Sequence, residues 1–183
     1  MDNGASSYRR YLDGDESAFD EVLKMYRDSL TFFINRYVQD MATAEDIAID
    51  VFTDLIIHKH RYNFKTQLKT YLFMIGRCRA LDYIKHRNKF VMVEWTSAET
   101  ELINDTTPED SVLADERKRV INSALEKLPE DMKVVIHLIY FEELSYAEAA
   151  KIMKKSRKQV DNLLYRAKSL LKSIIGKEGE LLL

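Results

Sequence analysis

A chain of 183 residues, 32% charged and 46% apolar, is long enough for one ordinary domain or two small ones. Five glycines and two prolines are too few for the turns of an all-β fold, and a lone cysteine, Cys78, excludes an internal disulfide. The net charge of -2 selects no partner by itself. No apolar run approaches the roughly 18 residues of a membrane helix, so stable membrane insertion is not expected. The opening MDNGASSYRR lacks the apolar core of a signal peptide, and a cytoplasmic location is the expectation.

Helical periodicity begins in the first quarter of the chain. Ala18, Val22, Met25, Tyr26, Leu30, Phe33 and Ile34 recur at steps of three and four. Thr43 is positioned to cap the next helix, whose apolar positions are Ile47, Val51, Phe52 and Leu55. A short linker, HRYNFKT, precedes a long helix marked by Leu68, Leu72, Ile75, Leu81 and Ile84. Residues 16–88 thus read as a helical bundle. The stretch VEWTSAETELINDTTPEDSV is acidic, rich in Ser and Thr, and reads as a linker, with Trp95 expected to dock on a domain. Helical signal resumes near Asp115, with Val120, Ile121, Ala124, Leu125 and Leu128 on one face. Pro129 then separates it from a stripe of Met132, Val135, Ile136 and Ile139.

The segment SYAEAAKIMKKSRKQVDNLLYRAKSLLK, residues 145–172, carries two capping signatures. Ser145 with Glu148, and Ser156 with Gln159, each start a short amphipathic helix, and few residues lie between. Two such helices joined tightly are a helix-turn-helix. Val160, Leu163, Leu164, Ala167, Leu170, Leu171 and Ile174 line the packed face of the second. Ser156, Arg157, Lys158, Gln159, Asn162, Tyr165 and Arg166 are left for duplex DNA. Arginine pairs bidentately with guanine and asparagine with adenine, while lysines neutralise phosphates. Arg157 and Lys158 oppose the helix dipole, a local cost that an anionic partner would turn into binding.

Charge is segregated elsewhere too. From Asp40 to Ile57 only Asp40, Glu45, Asp46, Asp50 and Asp54 are charged, all negative; from Lys59 to Lys89 the nine basic residues face one acid, Asp82. Aromatic rings interleave with the basic block, the mixture that holds single-stranded nucleic acid.

Several of these stretches, in this order, resemble the bacterial extracytoplasmic-function (ECF) sigma factors. Leu128, Pro129, Leu144, Ser145, Tyr146, Glu148, Ala150, Ser156, Arg166 and Ala167 follow the pattern of that family's region 4. GDESAFDEVLKMY, TAEDIAIDVFTDL and TYLFMIGRCRALDYIKH are similar to its first helix, its region 2.2 and its regions 2.3 and 2.4. Lys154 stands where the family often has Gly. The resemblance implies an all-α chain of two small helical domains, the C-terminal one carrying the helix-turn-helix. These are a region 2-like domain over 8–90, an acidic linker over 91–114, a region 4-like domain over 115–176, and a tail over 177–183. It implies a subunit that binds core RNA polymerase, directs it to promoters and helps melt them. Region 4 would read the upstream (−35) element as duplex. Region 2 would read and melt the −10 element, with Tyr62, Asn63, Phe64 and Lys65 around the unpaired base and Arg77, Arg79, Lys85 and Arg87 on phosphates. Asp46, Ile49, Asp50 and Thr53, outward together, would meet the clamp helices of the polymerase β′ subunit, with β as a further contact. The family is often held inactive by an anti-sigma factor, which the resemblance offers as another partner.

Two other readings compete. A stand-alone helix-turn-helix regulator leaves the basic-aromatic block unexplained. An enzyme finds little support: His58 and His60 point apart on a helix, and no zinc pattern, phosphate loop or nucleophile motif is present. No enzymatic activity, cofactor or metal is expected.

Overall fold

The computed structural model describes residues 3–91 and 121–179, and every regular element there is helical. The acidic linker with Trp95, and Val120, lie outside the described residues. The N-terminal half holds α1 (Asn3–Leu12), α2 (Ser17–Val38), α3 (Met41–Ile57) and α4 (Leu68–Val91). The C-terminal half holds a helical stretch over 121–126, here α5, then α6 (Glu130–Ile136), α7 (Tyr146–Met153) and α8 (Arg157–Gly179). α8 continues three residues beyond 176, so the tail expected from 177 begins as helix.

The apolar stripe of α2 packs against α3 and α4, burying Val22, Leu30, Phe33 and Ile34 with Val51, Leu72 and Phe73. Each such side chain contributes roughly 1.5–3 kcal/mol by leaving water. Gly76 permits the close approach of α4 to α2, since a Cβ there would lie 2.9 Å from Leu30 Cδ1. Met25, read as a core position, is 38% exposed on the outer edge of α2. Ile121 and Leu170, assigned to packed faces, are likewise exposed, because α5 and α8 bury narrower stripes than the spacing suggested.

The caps differ in one place from expectation. Asp40, not Thr43, is the N-cap of α3; its carboxylate accepts from Thr43 N–H at 2.8 Å, and the Thr43 hydroxyl, with that N–H second, holds the carboxyl below its usual range. Both boxes of the C-terminal half form as read. Ser145 and Glu148 satisfy each other's backbone N–H groups, and Ser156 and Gln159 do the same at 3.2 and 2.7 Å.

α1 carried no periodic signal, yet it is firmly seated. Tyr8 is fully buried, and its hydroxyl lies 3.0 Å from Leu55 O and 2.9 Å from Lys59 O, at the end of α3. Burial drives the Tyr8 pKa upward, keeping the phenol a donor. Gly4 rests on the Tyr26 ring, where any Cβ would collide with it.

A π-helical turn, His137–Phe141, follows α6 and was not foreseen. Its extra residue stacks His137 on Phe141 at 5.6 Å and turns Glu142 back toward α4. There the two halves meet. Lys69 Nζ of α4 lies 2.7 Å from Glu142 Oε2 and donates to Glu142 O at 2.9 Å. Glu142 Oε1 lies 3.1 Å from His137 Nε2, and the His137 ring stacks on Phe33 of α2. Thr70, fully buried, reaches the Glu148 carboxylate at 3.4 Å. Arg36 of α2 pairs with Glu126 of α5 at the rim.

Lys154 ends α7 in the left-handed region at φ 53, and its N–H lies 3.3 Å from Lys151 O. A side chain there costs roughly 1–2 kcal/mol relative to glycine. Lys154→Gly is therefore expected to raise the thermal midpoint, by about 1 kcal/mol of stability, in a circular-dichroism melt. A lowered midpoint would show that the lysine side chain itself supports the turn.

Candidate functional site

α8 begins at the second capping box, which satisfies its first amides and fixes its entry angle. Val160, Leu164 and Ala167 are buried against α6 and α7, and this rotates the other face outward. Ser156, Arg157, Lys158, Gln159, Asn162, Tyr165 and Arg166, the seven residues expected to meet duplex DNA, are all exposed, Tyr165 at 76%. The helical repeat sets Lys158, Gln159, Asn162, Tyr165 and Arg166 on one side of α8. Lys168 lies beyond them, over the Tyr140 ring at 5.2 Å, and the hydrogen bond to that phenol raises its pKa.

On α3, Asp46, Ile49, Asp50 and Thr53 are exposed together, while Ile47, Val51 and Leu55 face the core. Ile49 is 53% exposed. The sequence reading missed three apolar neighbours on the same helix, Met41, Ile56 and Ile57, all exposed. Their spacing from Ile49, eight residues before and seven and eight after, was the available signal. Ile56, two turns on, shares the face of Ile49, while Met41 and Ile57 flank it on opposite sides, and Asp46 and Asp50 stand beside Ile49. Asp50 lies 3.6 Å from Arg79, an exposed pair of small energetic weight.

The segment between α3 and α4 is built on rings. Tyr62 is buried, its hydroxyl donating to Thr66 O, and its ring lies 4.7 Å from Phe64 and 5.0 Å from Tyr71. Tyr62 therefore supports the loop from below and presents no open face, a correction to its expected role at an unpaired base. Burial raises the Tyr71 pKa, and that ring is half-buried. Asn63 and Lys65 are exposed; Asn63 Oδ1 accepts from Lys65 N–H at 3.1 Å. Phe64 is half-buried and sits in the left-handed region at φ 59.

The four expected phosphate contacts separate. Lys85 and Arg87 are exposed on the outer turns of α4. Arg77 is half-buried beside Tyr37, whose pKa burial pushes up to about 12 against the opposing pull of that guanidinium. Arg79 turns the other way, toward Asp50 and Asp54 at 3.6 Å each. It joins the acidic helix to α4, which weakens its expected role on DNA. Asp54 also holds Arg61 at 3.1 Å and lies 3.5 Å from His58. Among the described residues, no three His, Cys, Asp or Glu side chains gather as a metal site. No described helix is long and apolar enough to cross a membrane.

Comparison with known proteins matches both halves of the chain. Residues 22–90 match the family model of Sigma-70 region 2, and residues 118–171 that of Sigma-70, region 4. The ECF RNA polymerase sigma factor SigM of Bacillus subtilis is 28% identical over 86% of this chain and 95% of its own. SigW of the same organism is 25% identical over 87% and 89%. Among solved structures, the sigma factor RpoE of Bartonella quintana, in complex with the anti-sigma factor NepR, superposes with a TM-score of 0.68. That match is 21% identical and covers 86% of this chain and 96% of RpoE. CnrH, in complex with the cytosolic domain of CnrY, gives 0.62 at 18% identity, covering 96% of both chains.

Proposed function

This chain belongs to the sigma-70 family, in its ECF group, and from that membership we propose a division of work among its three surfaces. As an RNA polymerase sigma factor it binds the core enzyme, directs it to promoters and assists their melting. The duplex upstream element falls to the α8 face: Arg157, Lys158, Gln159, Asn162, Tyr165 and Arg166 toward the major groove, with Ser156 fixing the helix start. The melted strand falls to the 61–66 loop and the outer face of α4. There Asn63, Phe64 and Lys65 border the pocket, Tyr62 braces it, and Lys85, Arg87 and Arg77 track phosphates. The core polymerase falls to the α3 surface of Ile49 with Asp46, Asp50 and Thr53, extended by Met41, Ile56 and Ile57. The β′ clamp helices are its partner, with β as a further contact.

One observation carries the reading. A doubly capped helix-turn-helix exposes seven polar and basic residues on the same chain as a separate acidic and apolar surface. A stand-alone regulator has no use for the second surface. We read the chain as non-enzymatic: melting is driven by tighter binding to the open state, which shifts the equilibrium by that difference. An anti-sigma factor is a further partner, as RpoE has in its complex. The cytoplasm, where polymerase works, is the proposed location.

Transcription in vitro with bacterial core polymerase and fragmented genomic DNA tests this. Discrete starts are expected only when both proteins are present. With Arg166→Ala and Lys158→Ala together, those starts should weaken about tenfold or more, and core binding should stay unchanged. Absence of new starts, alongside salt-sensitive duplex binding by the chain alone, would return the stand-alone regulator.

A further inference from the structure

Two adjacent arginines on α1 have opposite environments. Arg10 is saturated: its guanidinium bonds Asp15 at 2.9 and 3.1 Å and Glu21 at 2.9 and 3.3 Å. These bonds tie α1 to the start of α2. Arg9 is exposed; its carbonyl accepts from Asp13 N–H at 3.0 Å, but among the described residues its guanidinium makes no hydrogen bond or ion pair. Its guanidinium instead lies over the Phe64 ring, 4.8 Å from the centroid.

Three features make this more than a chance contact. The helix that carries Arg9 is anchored by buried Tyr8, by Gly4 on Tyr26 and by Arg10, so Arg9 is delivered from a rigid support. Phe64 is held at positive φ, an uncommon conformation for an aromatic residue, between the rings of Tyr62 at 4.7 Å and Tyr8 at 6.2 Å. And a guanidinium held over a ring face keeps N–H groups that the ring does not use, which a phosphate can take.

We propose that Arg9 of the N-terminal helix is a single-strand contact, holding a backbone phosphate beside the base lodged at the 61–66 loop. The proposal rests on the assignment of that loop to the melted strand. Phe64 links the two: its ring backs the guanidinium, and its backbone belongs to the loop assigned to the base. α1 is thereby part of the nucleic-acid surface as well as a brace for α3.

The test uses the full chain and a fluorescent, mixed-sequence single-stranded oligonucleotide, titrated by anisotropy at several salt concentrations. Arg9 and Lys65 are both exposed in the free chain, so binding is expected without polymerase. Arg9→Ala should weaken binding about five- to tenfold and reduce the log–log salt slope by about 0.7, one phosphate fewer on a single strand. Arg9→Lys should keep the slope and still lose several-fold, because an ammonium does not stack as a plane. Lys24→Ala, at an exposed lysine of α2 outside all three surfaces, should leave this binding unchanged, and Lys65→Ala should weaken it.

If Lys65→Ala weakens binding while both Arg9 variants match the original chain, the Arg9 contact is wrong and the loop assignment stands. If the original chain fails to bind, or neither Arg9→Ala nor Lys65→Ala has an effect, the loop assignment falls and takes the proposal with it. Weaker binding by Arg9→Ala with an unchanged salt slope and a lowered melting temperature would make Arg9 a structural residue and overturn the proposal.

Discussion

Lys69→Met is expected to separate the two halves of the chain without unfolding either. Glu142 is 7% exposed and Lys69 23% exposed, so the replacement strands a carboxylate beside His137 with its main cation gone. Removing one member of a buried pair costs about 3 kcal/mol, a shift of roughly a hundredfold in the docking equilibrium. The helices themselves do not depend on this pair. Small-angle scattering should therefore show a larger radius of gyration, while far-ultraviolet circular dichroism stays unchanged. Lys69→Met combined with Glu142→Leu should close the chain again, since two apolar groups leave no charge unpaired. Unchanged dimensions in the single variant would show that the other contacts, the Phe33–His137 stack, Thr70 with Glu148 and Arg36 with Glu126, hold the halves together without the pair.

Acid should do the same to the original protein. Burial pushes the Glu142 carboxyl up, but the contacts with His137 and Lys69 outweigh it and leave the pKa below its usual 4.5. A carboxyl depressed in the docked form contributes stability that is present above 4.5 and lost as pH falls through the lower, docked value. An opening transition is therefore expected only under acid conditions below 4.5, and the Lys69→Met/Glu142→Leu chain should lack it.

Ile49→Asp is the second large effect. Ile49 sits 53% exposed at the centre of the α3 surface, between the exposed Asp46 and Asp50. A third carboxylate there removes the apolar anchor and buries a charge in the complex. A loss of about 2 kcal/mol or more in core-polymerase affinity, at least thirtyfold, is expected by fluorescence competition. The thermal midpoint should hardly move, because an exposed substitution away from caps and ion pairs costs within about 0.5 kcal/mol. Core affinity retained within twofold would remove Ile49 from that interface.

What could be read beforehand follows from which forces leave a repeating mark. Val22, Leu30 and Phe33 on α2, or Val160 and Leu164 on α8, repeat at the helical period because each must reach the same core. The two Ser boxes were legible because a cap is a local bargain between residues three apart. The Asp40 cap was missed because Thr43, also a capping residue type, lies in the first turn. α1 offered only scattered apolar positions between polar ones, and its anchors, Gly4 and Tyr8, act through Tyr26 and the α3 carbonyls. Tyr62 looked like a surface ring in a basic stretch, but its neighbours Tyr8 and Tyr71 come from two different helices. Lys69 and Glu142 are single residues far apart in sequence, and no periodicity announces such a pair. The π-helical turn that aims Glu142 is also silent, since HLIYF has the composition of an ordinary helix.

The pairing of Lys69 with Glu142 joins positions 73 residues apart within one molecule. Its strength is thus set against an effective concentration fixed by the connecting chain, not by how much protein is present. Dilution leaves the docked fraction unchanged, so the original and Lys69→Met chains should each keep their own dimensions from dilute to concentrated solution. Any separate molecule that binds Phe33, Thr70 or Glu148 must outcompete a rival that never diffuses away. The competitor's apparent affinity is lowered by the fraction of molecules that are open at any moment, so more of it is needed, while its dose response keeps the simple hyperbolic form.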